Sequence, residues 1–147
     1  MPDTPHSLAV TLFSEILAVE QLARARLTKL LPKGMELSHF SVLNHLAYSN
    51  TEKTPAELAN TFHLTRGAMT NTLSKLQWAG WVHIRPDWDD ARRKMVSISP
   101  SGLAVRDAAI AGIAPLVDEI VKTVGADKAK ATLPVLREMR LRLGDSD

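Results

Sequence analysis

The chain has 147 residues, 45% of them apolar, a size that suits one small core with extensions. No apolar run approaches the roughly 18–20 residues of a membrane span, no basic segment leads into an apolar one near the N-terminus, and cysteine is absent. Disulfides, thiolate nucleophiles and thiolate metal ligands are therefore excluded and a cytoplasmic protein is expected, while a net charge of +2 by itself indicates no partner.

The first predicted element is a long amphipathic helix from Ser7 to Leu31. Its stripe of Leu8, Leu12, Ile16, Val19, Ala23, Leu27 and Leu30 recurs at spacings of four and three, and Pro32-Lys33-Gly34 ends it. A second helix is expected to start at Ser38 as N-cap and to bury Phe40, Leu43, Leu46 and Ala47. Thr54-Pro55-Ala56-Glu57 combines a capping hydroxyl, a proline with no N–H to leave unpaired, and a glutamate that can reach back. The short helix it begins buries Leu58, Ala59 and Phe62, and His63-Leu64 turns the chain. Thr65 then caps a helix to about Ala79, with Met69, Leu73 and Leu76 as one narrow apolar stripe and Gly80 as a left-handed exit.

After Gly80 the period changes from helical to alternating. Trp81 to Arg85 and Lys94 to Ile98 read as two strands of a hairpin around a polar loop, Pro86 to Arg93. Ser99-Pro100-Ser101-Gly102 starts another helix. Two helical segments follow, Leu103 to Val124 and Asp127 to Leu143, separated at Gly125, with Pro115 and Pro134 expected to kink or break them. The fold class is thus mainly α with one small β-hairpin: a winged helix-turn-helix between long N- and C-terminal helices.

Two helices joined by a tight turn and followed by a basic hairpin suit a nucleic-acid reader. A recognition helix must be held by a narrow stripe so that its other face can enter a major groove about 12 Å wide. Opposite Met69, Leu73 and Leu76 lie Arg66, Gly67, Thr70, Asn71, Ser74 and Lys75, and no acid occurs from Thr65 to Gln77. A merely solvated face usually mixes Glu with Lys. Gly67 lets backbone approach DNA, Asn71 can pair bidentately with adenine, and Arg66 can take guanine or phosphate. From His63 to Ser97 six cations face three acids, a local net of +3. In the hairpin loop a carboxylate such as Asp90 can hold the Arg92 guanidinium in one orientation for a narrow minor groove. A flexible charged tip is the bland alternative for the loop taken alone.

The segment TPAELANTFHLTRGAMTNTLSKLQWAGWVHIRPDWDDARRKMVSISPSG resembles the MarR (multiple antibiotic resistance regulator) family of bacterial regulators, and nearly the whole chain shares the family's order of elements. Its sharpest mark is the wing motif Asp90-Ala91-Arg92. The resemblance implies that Arg92 enters the minor groove, positioned by Asp90, with Arg93 beside it. It also implies that Thr65, Arg66, Gly67, Thr70, Asn71, Ser74 and Lys75 form the major-groove surface. Two positions depart from the common pattern: Asn71 stands where many members carry arginine, and Trp88 where a wing proline is frequent. Residues 35–100 are expected to be the winged DNA-binding core, and residues 5–34 and 101–147 the dimerisation helices of a single 1–147 chain.

Length supports that division. The first helix would run about 36 Å at 1.5 Å per residue, longer than a small winged core can cover. Its stripe, with Leu133, Leu136, Met139 and Leu143 at the other end, leaves a patch of the kind that marks an interface. The implied protein is a non-enzymatic, ligand-responsive repressor that binds a pseudo-palindromic double-stranded operator as a homodimer. Its implied effector is a small aromatic or phenolic anion. The alternative is a winged-helix module that binds protein, or DNA without sequence preference, and senses no ligand. No cofactor is implied. His6, His39, His45, His63 and His83 show no metal-ligand spacing; His39 and His45 fall about 240° apart on a helix. Trp78, Trp81 and Phe62 read as core around the hairpin. Oxidation of cysteine is excluded as a switch.

Overall fold

The computed structural model describes residues 4–145. Six helices and one antiparallel hairpin follow in the order α1 (Pro5–Thr28), α2 (Leu37–Ser49), α3 (Pro55–Thr61), α4 (Arg66–Trp78), β1 (Val82–Pro86), β2 (Lys94–Ile98), α5 (Pro100–Val124) and α6 (Ala126–Gly144). Every member of the buried apolar cluster lies between Leu31 and Ala109. Leu43 and Leu46 of α2, Leu58 of α3, Met69 and Leu76 of α4 and Val96 of β2 are its most enclosed side chains. They come from four elements, so the cluster locks the helix-turn-helix to the hairpin.

Local chemistry sets the boundaries. Thr54 caps α3 through a reciprocal pair: Glu57 N–H donates to Thr54 Oγ1 (3.1 Å), and Thr54 N–H donates to Glu57 Oε1 (3.3 Å). Thr65 caps α4 by accepting from Ala68 N–H at 3.1 Å. His63, at φ 53°, makes the turn between these helices, and Gly80, at φ +81°, releases the chain toward the hairpin. Ser99 does two jobs at once. Its hydroxyl donates to the Gly80 carbonyl (2.6 Å) and accepts from Gly102 N–H (2.9 Å), so one side chain ties the exit of α4 to the start of α5. Gly102 is demanded there, because a Cβ would overlap the Trp81 carbonyl.

Three expected boundaries move. Helix α1 stops at Thr28, and Leu30 N–H and Leu31 N–H bond back three residues to Leu27 and Thr28; Pro32 is not the terminator. Helix α2 starts at Leu37 with Ser38 inside it, because Glu36 N–H finds the His39 ring, donating to Nδ1 at 3.1 Å. Strand β1 begins at Val82, since Trp81 N–H is taken by Leu76 O at 2.9 Å. Helix α5 starts at Pro100 behind the Ser99 cap, as expected, and both Pro115 and Pro134 lie inside uninterrupted helices.

The hairpin pairs Val82 with Ile98, Ile84 with Val96 and Pro86 with Lys94. Lys53, in the α2–α3 connection, bridges Val96 from the other side with bonds of 3.0 and 2.7 Å. The connection thereby acts as a one-residue third strand. The terminal helices contrast with this centre: α6 has no buried residue, and Leu17, Val19 and Leu22 of α1 stand open to solvent.

Candidate nucleic-acid interface

Helix α4 presents two faces. Met69, Leu73 and Leu76 are buried, whereas Arg66, Gly67, Thr70, Asn71, Ser74 and Lys75 are all exposed, as is the capping Thr65. The 3.6-residue period produces this division directly. Arg66, Thr70 and Ser74 line one side of a groove of about 690 Å³, and Arg92, Arg93 and Lys94 of the hairpin line the other. Asn71 and Lys75 stand on the outer side of the helix, away from that groove. The structure therefore gathers part of the expected site into one cationic concavity and leaves the rest as a ridge beside it.

Hydrogen bonds order the loop between the strands. Asp87 N–H donates to Arg93 O and Arg93 N–H to Asp90 O, each at 3.0 Å. Asp90 receives three donors from Arg92: the backbone N–H (3.1 Å) and Nε (3.0 Å) on Oδ1, and Nη2 (3.3 Å) on Oδ2. The Arg92 side-chain bonds, then its backbone bond, hold the Asp90 carboxyl below the usual carboxylate range. Arg92 itself remains 90% exposed. A guanidinium fixed at its base and open at its end can enter a groove with little further loss of freedom.

Arg93 differs. Its guanidinium donates twice to Asp87 Oδ2, at 3.0 and 2.8 Å, and that carboxylate is largely enclosed. Asp87 is lowered first by the Asp89 backbone N–H and then by Arg93. Arg93 thus closes the loop as well as adding charge.

Sequence reasoning missed a further constellation. Arg85 on β1 donates through Nε and Nη2 to both oxygens of Glu52, at 2.9 and 2.6 Å, and through Nη1 to Pro86 O at 2.8 Å. Its guanidinium lies 4.9 Å from the centroid of the Trp88 ring. Glu52 and Arg85 are 33 residues apart, so no local spacing signals the pair. One aromatic expectation is overturned: Trp78 is 90% exposed, while Trp81 and Phe62 pack against the core. The helical wheel carried the signal, since nine residues place Trp78 about 180° from Met69. Among the described residues no three His, Asp or Glu side chains gather as metal ligands.

Residues 33–93 match the family model described as MarR family. No curated protein matches the sequence significantly. Solved structures do. The transcriptional regulator BldR from Sulfolobus solfataricus is 25% identical, with a TM-score of 0.83 over 95% of this chain and 99% of its own. A mutant MarR from E. coli complexed with operator DNA is 24% identical, with a TM-score of 0.78 over 93% of this chain and 99% of its own. The PcaV regulator from Streptomyces coelicolor in complex with its natural ligand is 19% identical, with a TM-score of 0.72 over 94% and 92%. The winged segment thus matches the MarR family model, and from end to end the fold is that of these transcriptional regulators.

Proposed function

We propose that the chain is a homodimeric, sequence-specific DNA-binding repressor that releases a pseudo-palindromic operator when a small aromatic or phenolic anion binds. The observation that carries the reading is the concavity between α4 and the hairpin. An acid-free helix face and an arginine braced by Asp90 converge there, as reading a major groove and its neighbouring minor groove requires. Thr65, Arg66, Gly67, Thr70, Asn71, Ser74 and Lys75 then serve the major groove. Arg92, with Asp90 and Arg93, serves the minor groove and backbone. Residues 35–100 are the DNA-binding core, and residues 5–34 and 101–147 are the dimerisation helices.

The open leucines and valines of α1 and α6 support dimerisation, because contiguous apolar patches of this kind mark interfaces. MarR bound to operator DNA and PcaV bound to its natural ligand support the operator and effector parts of the reading. No described helix is long and apolar enough to cross a membrane, in keeping with action in the cytoplasm.

Selection of duplexes from a random-sequence pool by the full chain tests the reading. Enrichment of a two-fold-related sequence, bound at least about a thousandfold more tightly than random duplex at physiological salt, is the expected result. Equal affinity for enriched and random duplex would reduce the protein to a binder without sequence preference.

A further inference from the structure

We propose that Trp88 is a DNA-contacting residue, an indole propped at the hairpin tip to lie against the sugars of the minor groove beside Arg92. The proposal rests on the DNA-binding reading above and adds an apolar contact to one otherwise built from charge and hydrogen bonds.

An indole that is 79% exposed, on a loop rich in charged residues, buries nothing for the fold. A side chain without a role there would be free to swing. This one is held from below by Arg85, whose guanidinium is fixed by three hydrogen bonds, two to Glu52 and one to the Pro86 carbonyl. The chain of contacts therefore runs from the α2–α3 connection through β1 to the loop tip.

Charge decides which kind of contact the stack suits. Glu52 neutralises Arg85, so this arginine is poorly placed to act as a phosphate ligand, although it lines the groove facing α4. What the stack offers outward is a rigid apolar surface. The same loop carries the outward-facing cation Arg92, and the groove-lining Lys94 follows it. Cations of the same hairpin bring a polyanion close, and the apolar surface then meets the least polar part of that polyanion. On duplex DNA this part is the deoxyribose wall of the minor groove, a groove that apolar side chains of other proteins enter. Because the indole is already oriented, little rotamer freedom is lost on binding.

The test uses the full chain labelled with 5-fluorotryptophan, and the duplex that the wild-type protein enriches from a random pool. Substituting Trp78, Trp81 and Trp88 by Phe, one at a time, assigns the three fluorine signals. Adding duplex should shift the Trp88 signal, and a minor-groove competitor should reverse the shift. Trp88→Ala should weaken binding by roughly five- to twentyfold, while Trp88→Phe should keep most of the affinity. The slope of log affinity against log salt should be unchanged in Trp88→Ala, since no cation is lost; Arg92→Ala should flatten it. A Trp88 signal that ignores bound duplex, with Trp88→Ala binding within twofold of wild type, would overturn the proposal and leave DNA binding standing. Failure of the wild type to enrich any duplex would instead overturn the DNA-binding reading, and this proposal with it.

Discussion

The winged centre and the terminal helices both carry leucine and valine at helical spacing, yet they treat them in opposite ways. In the centre, Leu43, Leu46, Leu58, Met69, Leu76 and Val96 are almost wholly withdrawn from water. In α1 and α6, Leu17, Leu22, Leu141 and Leu143 remain well over half exposed, and α6 buries no residue at all. One region satisfies its apolar pattern within a single chain. The other presents a pattern of the same quality that a single chain leaves uncovered. The difference teaches that amphipathic periodicity reports a need for burial and is silent on whether the partner lies in the same chain.

Breaking the outer region should have the largest effect on function. Wild-type chain at micromolar concentration should sediment at about twice its 16.1 kDa mass. Leu17→Asp combined with Leu141→Asp should halve that mass. Two half-sites would then be held one at a time, so operator affinity should fall by roughly 10²–10⁴. A wild-type monomer would remove the assignment of the terminal helices to dimerisation and leave the winged motif untouched.

Breaking the centre should instead unfold it. Leu58→Ala removes a side chain that is 0% exposed between α3 and its neighbours, and should cost about 2–5 kcal/mol in urea denaturation. The same substitution at Leu17 should lower the stability of a dissociated chain by well under 1 kcal/mol. Equal costs at the two positions would end the contrast between the regions.

Within the proposed interface the contrast recurs on a smaller scale, between the braced loop and the outer ridge of α4. Arg92→Ala should weaken enriched and random duplex alike and flatten the salt slope by up to about one unit per subunit. Asp90→Ala should act in the same direction but less, because it removes only the brace. Asn71→Ala should lose about 1–3 kcal/mol of discrimination while random binding persists. An unchanged ratio of enriched to random affinity would show that Asn71 reads no base.

How much of this was legible beforehand depended on the range of the interaction. Thr54, Thr65 and Gly80 act on partners within a few residues, as does Ser99 in capping α5, and these roles follow from local hydrogen bonding and backbone freedom. The two faces of α4 were equally plain, because one stripe of three apolar residues fixes the rotation of the helix. The start of α2 was misplaced because His39 satisfies the first free N–H, a task usually given to an acid or hydroxyl. Trp78 was misassigned by treating its size as evidence of burial instead of following its angle from Met69. The Glu52–Arg85–Trp88 stack was out of reach, since tertiary pairing such as the Lys53–Val96 bridge brings the connection beside the hairpin.

The smallest expected effect concerns His39, where the centre uses a titratable group as structure. Its ring is buried, edge-on to Trp81 at 6.4 Å, and Nδ1 accepts the Glu36 N–H, so the folded chain needs that nitrogen unprotonated. Burial lowers its pKa below the ordinary histidine value of 6.5; Glu36 opposes this and Lys75 adds to it. The unfolded chain therefore binds this proton first as pH falls, and the contribution to stability has a definite sign. It is whole above about pH 6.5 and declines below it until the folded ring also protonates. His39→Gln keeps an acceptor for the Glu36 N–H and cannot titrate. Its urea midpoint should fall less than that of wild type between about pH 7 and pH 5, and Trp81 emission should lose its pH dependence over that interval. Parallel declines in the two proteins would show that the ring's pKa is not lowered on folding, with Glu36 offsetting burial.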